Sequence, residues 1–243
     1  MAKIYPESIV LDAYNFREMN SLNDTEPVNY KSLLLKLNVQ TLYRPLSDSF
    51  SGMCLKRGDK KFILINSNHS RGRQHFTMAH EFYHLFIQED FTPHCCNPGQ
   101  ASESPVERLA DAFSSCFLMP EMGIKKMMPA NELREKNVSI ATLLKLEHYF
   151  SVSHLALLTR LKGLGLISAS EYDHYSKIPI KRTASEYGYD LSLYEKGNEG
   201  VVIGDYGVRA RGLFDKGKIS ESHYWELMEA IGVDLTAEIN EQE

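Results

Sequence analysis

The sequence predicts an α+β fold in which a small mixed or antiparallel sheet lies beside a helix that carries His80-Glu81-Phe82-Tyr83-His84. A mainly helical region with a helix-turn-helix-like unit is expected to follow. Two observations predict this class. The hydrophobic period changes over residues 50–68, where two short strands flank the turn signal Arg57-Gly58-Asp59. Apolar residues recur every three to four positions before and after that segment, as in amphipathic helices.

Residues 1–45 are predicted to form an N-terminal helical segment that packs on the next part of the chain. Their apolar positions have helical spacing in IVLDAYNF and in VNYKSLLLKLNVQTLY. After the strand pair, the segment that contains Arg71 and Arg73 is interpreted as a solvated loop. The alternative is that these two arginines orient an acidic segment of a substrate.

Residues 77–87 are the predicted metal-binding helix, with Thr77 as its N-cap. Residues four apart on a helix lie one turn on, so His80 and His84 project from one face and can bind one metal ion. Glu81 lies about 100° further round and is expected to act as a general base toward water at the metal. The pattern H-E-x-x-H on a helix is that of zinc-dependent proteases.

A second amphipathic helix is predicted over residues 105–118, and Glu107 and Asp111 share one of its faces. A His₂Glu site takes its third ligand from such a helix and leaves the fourth position for water. Glu107 is therefore the candidate ligand, and Asp111 is expected to accept a hydrogen bond from the far nitrogen of a ligand histidine. Two alternatives stay open: Glu107 closes a capping box with Ser104, or Glu103 supplies the ligand.

His94-Cys95-Cys96 is a weaker candidate for a second metal site. Adjacent cysteines lack the C-x-x-C spacing of zinc knuckles, so ordinary loop residues are the preferred interpretation of residues 92–104. Cys54 and Cys116 complete a set of four cysteines. All four are expected to be reduced thiols.

Three stretches of the chain form a joint motif that is far more specific than H-E-x-x-H alone. They are FTMAHEFYHL, then Glu107-x-x-Ala110-Asp111-x-Phe113, then Phe117-Leu118-Met119-Pro120. Together they resemble the ImmA/IrrE family of metallopeptidases, with the strong likeness over residues 62–120 and a looser one to about residue 165. Tyr83, where the family often has Gly, and Ser114, where Ala is usual, depart from the pattern.

The resemblance implies a thermolysin-like core and favours Glu107 over the alternatives as the third ligand. It implies a zinc endopeptidase with Zn²⁺ on His80, His84 and Glu107, although another divalent transition metal also suits these ligands. The implied substrate is a protein, a helix-turn-helix repressor encoded nearby in a mobile element, a phage or a stress response. The alternative is a metal-binding regulatory module that controls a transcription factor without proteolysis. Glu81 argues against it, because a structural metal site needs no base.

A helix-turn-helix-like unit is predicted over residues 138–165, with Ser153 as the N-cap of its second helix and Gly163 as its end. Residues 132–162 carry five basic and three acidic side chains. A net charge of +2 gives only a weak electrostatic attraction to the phosphates of DNA. Packing or partner docking is therefore preferred over direct DNA binding.

The remaining predictions concern organisation and location. The net charge of −5 argues against a chain that coats nucleic acid or an anionic membrane. No apolar run approaches the length of a membrane span, and Glu7 and Asp12 interrupt the N-terminus where a signal peptide is apolar, so a cytoplasmic location is expected. The oligomeric state is left open.

Three units are expected along the 243 residues. The first is a zinc metallopeptidase domain at residues 1–125, and the second is the helix-turn-helix-like region at 126–180. The third is a C-terminal helical region at 181–243, with helices predicted over 205–216 and 220–231 and an acidic tail.

Overall fold

The structure is a computed structural model that describes residues 5–91, 94–96 and 104–233. It is an α+β fold, as predicted. The helices are α1 (Glu7–Met19), α2 (Tyr30–Lys36), α3 (Arg71–Phe82), α4 (Pro105–Leu118), α5 (Glu121–Met127), α6 (Ala130–Glu135), α7 (Ile140–Phe150), α8 (His154–Gly163), α9 (Ala169–Tyr175), α10 (Ile180–Glu186), α11 (Tyr206–Asp215) and α12 (Glu221–Glu229). The strands are β1 (Val39–Arg44), β2 (Gly52–Arg57), β3 (Lys60–Asn66), β4 (His94–Cys96) and β5 (Val202–Ile203).

The five strands form one mixed sheet in the order β4-β2-β3-β1-β5. β2 and β3 are the predicted antiparallel hairpin, closed by Gly58 and Asp59. Gly58 has a φ of 57°, a conformation that the tight turn requires and that glycine adopts without strain. β1 runs parallel to β3, whereas β4 and β5 pair antiparallel with β2 and β1.

β1 corrects the prediction that residues 1–45 are helical throughout. Asn38, just after α2, has a φ of 53°, which ends the helix in the left-handed region. Val39, Thr41 and Tyr43 are buried and alternate with half-buried residues, which is the period of a strand. Pairing along the whole of β3 outweighed the helical spacing of the sequence.

α3 begins at Arg71, six residues before the predicted N-cap, so that prediction was wrong. Thr77 lies within the helix, where its hydroxyl donates to the Arg73 carbonyl at 3.1 Å. Arg71 and Arg73 form its half-buried first turn, which corrects the interpretation of a solvated loop. A Cβ at Gly72 would lie 2.7 Å from the Ser153 backbone nitrogen, so only glycine lets α3 begin this close to α8.

An aromatic cluster holds α3 and α4 against each other. Phe16 of α1 lies 6.0 Å from Phe82 and 5.5 Å from Phe117 between ring centroids. Phe113 stacks on Phe117 at 5.6 Å. All four rings are buried in a core that also includes residues of the sheet, α7 and α8. The two helices that carry the motif residues are therefore fixed by close packing.

The helical elements after α4 follow the predictions in part. α7 and α8 are joined by a short turn, and Ser153 and Gly163 delimit α8 as predicted. α12 follows Ser220, whose side chain accepts from the His223 amide, and Gly232 has a φ of 80° beyond its end. The sequence patterns missed α5, α6, α10 and β5, which are short. β4 corrects the interpretation of residues 92–104 as a loop throughout, because three of its residues pair with β2.

Several predictions fall outside the described part of the chain. They concern Glu103, the side chains of His94, Cys95 and Cys96, and the acidic tail. The division into three units stays a prediction. Among the described residues, no helix combines the length and apolar character that crossing a membrane requires.

Candidate metal centre

The side chains of His80, His84 and Glu107 meet between α3 and α4. One potential ligand atom from each lies within 4.8 Å of the other two. His80 Nε2 is 3.0 Å from Glu107 Oε2, and His84 Nε2 is 3.5 Å from Glu107 Oε1. The sequence singled out these three residues, and the fold brings them to one point from positions up to 27 residues apart.

These distances suit a divalent metal ion. Ligand atoms 2.0–2.1 Å from a tetrahedral ion lie about 3.3 Å from one another. The two distances of 3.0 and 3.5 Å to Glu107 bracket that value. Imidazole nitrogen together with carboxylate oxygen is also a donor set that divalent transition metals accept. The three residues therefore fit a metal by both spacing and chemistry.

His84 lies in a π-helical turn, Tyr83–Ile87, that continues α3. Insertions of this kind are frequent at functional sites. His84 Nδ1 donates to Gln88 Oε1 at 2.6 Å, which leaves Nε2 directed toward Glu107. Sequence reasoning missed Gln88, although its position four residues after His84 was a usable signal.

Asp111 lies one turn after Glu107 on α4 and bonds His80. His80 Nδ1 donates to Asp111 Oδ1 at 2.9 Å. Burial lowers the pKa of His80, but hydrogen bonds to Asp111 and Glu107 and the charge of Glu81 outweigh burial and raise it to about 10. A metal bound by His80 would therefore have to displace a proton from this ring, because an imidazole ligand is neutral.

Glu107 occupies the first turn of α4, which begins at Pro105 after Ser104, as predicted. The Ser104 side chain makes no capping hydrogen bond, and the Glu107 carboxylate faces the two histidines instead. The capping box considered as an alternative is therefore not formed.

Glu81 is fully buried and faces β2. Its Oε1 would lie 3.4 Å from a Cβ placed on Gly52. Cys54, two residues on, shares that face of the strand. Burial raises the pKa of the Cys54 thiol, and so do the charge of Glu81 and a hydrogen bond to its carboxylate. Gly52 and Cys54 therefore shape the surroundings of Glu81.

Sequence reasoning missed both of these β2 residues. A glycine at the start of a strand was the available signal, because glycine in a strand often marks a close approach of the backbone to another group. Here that group is α3: a Cβ on Gly52 would lie 2.6 Å from Thr77 Cγ2.

Comparison with known proteins shows that the chain matches one family model. The family model described as Peptidase_M78, IrrE N-terminal-like domain, matches residues 35–162, just over half of the chain. The match extends from the end of α2 to α8 and includes every residue of the candidate centre. A search of curated proteins found no match to the chain.

Proposed function

Because the chain belongs to the Peptidase_M78 family of IrrE N-terminal-like domains, we propose that it is a zinc-dependent endopeptidase that cleaves one specific regulatory protein. The observation that carries this proposal is the convergence of His80, His84 and Glu107 within 4.8 Å. Membership of a peptidase family makes a protein the substrate class.

The metal would be held by Nε2 of His80, Nε2 of His84 and the carboxylate of Glu107. Zn²⁺ suits this donor set and, when bound, lowers the pKa of water and polarises a scissile carbonyl. Asp111 and Gln88 orient the two imidazoles through their Nδ1 atoms. The protein thus presets the direction in which both nitrogens point.

Glu81 is the proposed general base. Its carboxylate takes a proton from the attacking water and passes it to the leaving amine nitrogen. Cys54 and the bare backbone of Gly52 lie against this carboxylate and restrict where it can point. Held this way, the carboxylate loses little conformational freedom when the reaction begins.

The proposed substrate is a helix-turn-helix repressor, and its cleavage would relieve repression. This part of the proposal rests on the resemblance of the joint motif to the ImmA/IrrE metallopeptidases. The cytoplasm is the proposed location, because such a repressor acts there. Direct contact of the chain with DNA is not proposed.

Incubation of the zinc-loaded protein with repressors encoded beside its gene tests this function. We expect defined fragments by mass spectrometry and none after chelation. Glu81→Gln should lower the rate by about 10²–10⁴-fold and keep the zinc, because it removes the base and no ligand. Cleavage that persists at the full rate in Glu81→Gln would exclude Glu81 as the base.

A second candidate function is a metal-dependent regulatory module that binds a transcription factor and leaves it intact. One observation favours it: the Glu81 side chain is fully buried, so a reaction requires water to reach it. Stoichiometric binding of an uncut repressor at every zinc concentration would support this candidate and contradict the first.

A further inference from the structure

A cavity of about 460 Å³ lies at the opposite end of α4 from Glu107, between α1, α4, α5 and α8. None of the metal-centre residues lines it. Val10, Ala13 and Leu164 give it apolar walls, and Tyr5 adds an aromatic ring. Small-molecule sites have this size and this mainly apolar lining with a few polar groups.

Arg160 is a buried polar group in the wall of the cavity, with 3% of its surface exposed. Its Nε donates to the Met119 carbonyl at 3.0 Å, and its Nη1 donates to Cys116 Sγ at 3.2 Å. Its guanidinium carbon lies 5.1 Å from the centroid of the Tyr5 ring. Within the described residues, no carboxylate lies within 4.0 Å of this guanidinium and Nη2 has no hydrogen-bond partner.

Arg17 lines the same cavity and provides an internal comparison. It is also buried, at 2% exposure. Its Nε, Nη1 and Nη2 all donate to backbone carbonyls, those of Asn23, Glu26 and Phe117. The hydrogen-bonding capacity of Arg17 is therefore used within the protein, whereas that of Arg160 is used only in part. A buried N–H group without a hydrogen-bond partner is costly, so Nη2 of Arg160 points to a ligand.

The charges around the cavity limit what that ligand can be. Glu7, Asp24 and Glu121 also line it, and Glu121 forms an ion pair with Lys125. Carboxylates in the wall repel a dianion such as phosphate more strongly than a monoanion, whose single charge the Arg160 guanidinium can offset. The apolar walls require an apolar body next to that charge.

We propose that this cavity binds a small organic monoanion: a carboxylate with an aliphatic or aromatic body. The carboxylate accepts from Nη2 of Arg160, and the body contacts Val10 and Leu164. This site goes beyond the proposed peptidase and does not depend on it. Because Cys116 belongs to α4, a ligand here would also contact the helix that carries Glu107.

Calorimetric titration of the full chain with octanoate and with octanamide tests the proposal. The two compounds have the same length, and only octanoate carries a charge. We expect saturable binding of octanoate at one site, and binding of octanamide that is weaker by about tenfold or more, because only the anion forms a charge-assisted hydrogen bond.

Two tryptophan variants separate the cavity from the rest of the surface. Val10 is 44% exposed, so Val10→Trp can fill the cavity from its rim without disturbing the core, and it should abolish octanoate binding. Val208, 75% exposed on α11 and away from the cavity, supplies the matched control. Val208→Trp should bind as the wild type does. Arg160→Lys should bind more weakly, and Val10→Trp decides the question if that variant does not fold.

Three results would overturn the proposal. Equal affinity for octanoate and octanamide would show that the negative charge does not contribute to binding. Undiminished binding by Val10→Trp would place the site elsewhere. The absence of saturable binding of both octanoate and phenylpropionate would show that the cavity takes no such anion.

Discussion

The carboxylate of Asp111 lies 2.9 Å from Nδ1 of His80, on the edge of the imidazole opposite the Nε2 atom that faces Glu107. When the ring is neutral, this bond keeps its hydrogen on Nδ1 and leaves Nε2 for a metal. It also joins α3 to α4 at the level of the candidate centre.

Asp111→Asn is expected to weaken metal affinity by about 10–100-fold, because a neutral amide supports the His80 ring less strongly than a carboxylate does. Competition with a chromophoric chelator measures the change. Asp173→Asn, an exposed position on α9, is the matched control and should leave the affinity unchanged. Equal affinities for all three proteins would show that Asp111 does not act through His80.

Glu107→Gln is expected to reduce bound zinc from one equivalent to nearly none, since a neutral amide replaces the anionic ligand. Ser104→Ala should keep the full equivalent, because the Ser104 side chain makes no capping bond. Elemental analysis after dialysis gives both values, and circular dichroism verifies that the helices persist. Full zinc retention by Glu107→Gln would contradict the assignment of Glu107 as a ligand.

Gly52→Ala is expected to destabilise the fold by about 1–3 kcal/mol, the usual cost of overpacking a core. The added Cβ would meet Thr77 Cγ2 at 2.6 Å and the Leu64 carbonyl oxygen at 2.9 Å. Activity should fall as well, because α3 and Glu81 must shift. Urea unfolding measures the stability. At Gly212 a Cβ meets nothing within 4 Å, so Gly212→Ala should be neutral or stabilising.

The buried pair of Glu147 and His154 predicts a pH dependence of stability. His154 Nδ1 lies 2.5 Å from Glu147 Oε1. Burial lowers the pKa of His154, but the hydrogen bond to Glu147 and the Glu147 charge raise it overall. The folded state therefore holds its proton to higher pH than the unfolded chain. The resulting stabilisation is complete below the unfolded pKa of about 6.5 and is lost as pH rises through the folded value.

Glu147→Gln tests this prediction, because the amide keeps the shape of the side chain and loses its charge. The difference in the free energy of unfolding between wild type and variant should shrink as pH rises from about 6 to about 9. Chemical denaturation at several pH values measures that difference. If the difference in the free energy of unfolding stayed constant across the range, the protonation of His154 would not contribute to the stability of the fold.

Local signals predicted much of the site and some of the fold. Helix periodicity paired His80 with His84, and the proline-led helix start placed Glu107 on a second helix. The resemblance to the ImmA/IrrE family then favoured Glu107 as the third ligand. The pair of Gly58 and Asp59 likewise marked the hairpin without any knowledge of distant residues.

The features that the sequence did not reveal depend on contacts between distant segments. In β1 the end of the helical spacing coincides with an alternating strand pattern, and only pairing with β3 decides between the two. Cys54 and Gln88 gain their roles from groups that the fold places beside them. A strand of two residues, β5, carries too short a pattern to be recognised.

The approach of Gly72 to residues 152 and 153 has a consequence for how the chain can be divided. The helix with the two histidines starts on the backbone of the helix-turn-helix-like unit, at a distance that leaves room for a hydrogen atom but not for a methyl group. A fragment that ends at residue 125 would expose the first turn of α3 to water. The peptidase part and the helices behind it should therefore melt in a single calorimetric transition, and neither should be obtainable as an autonomous recombinant piece.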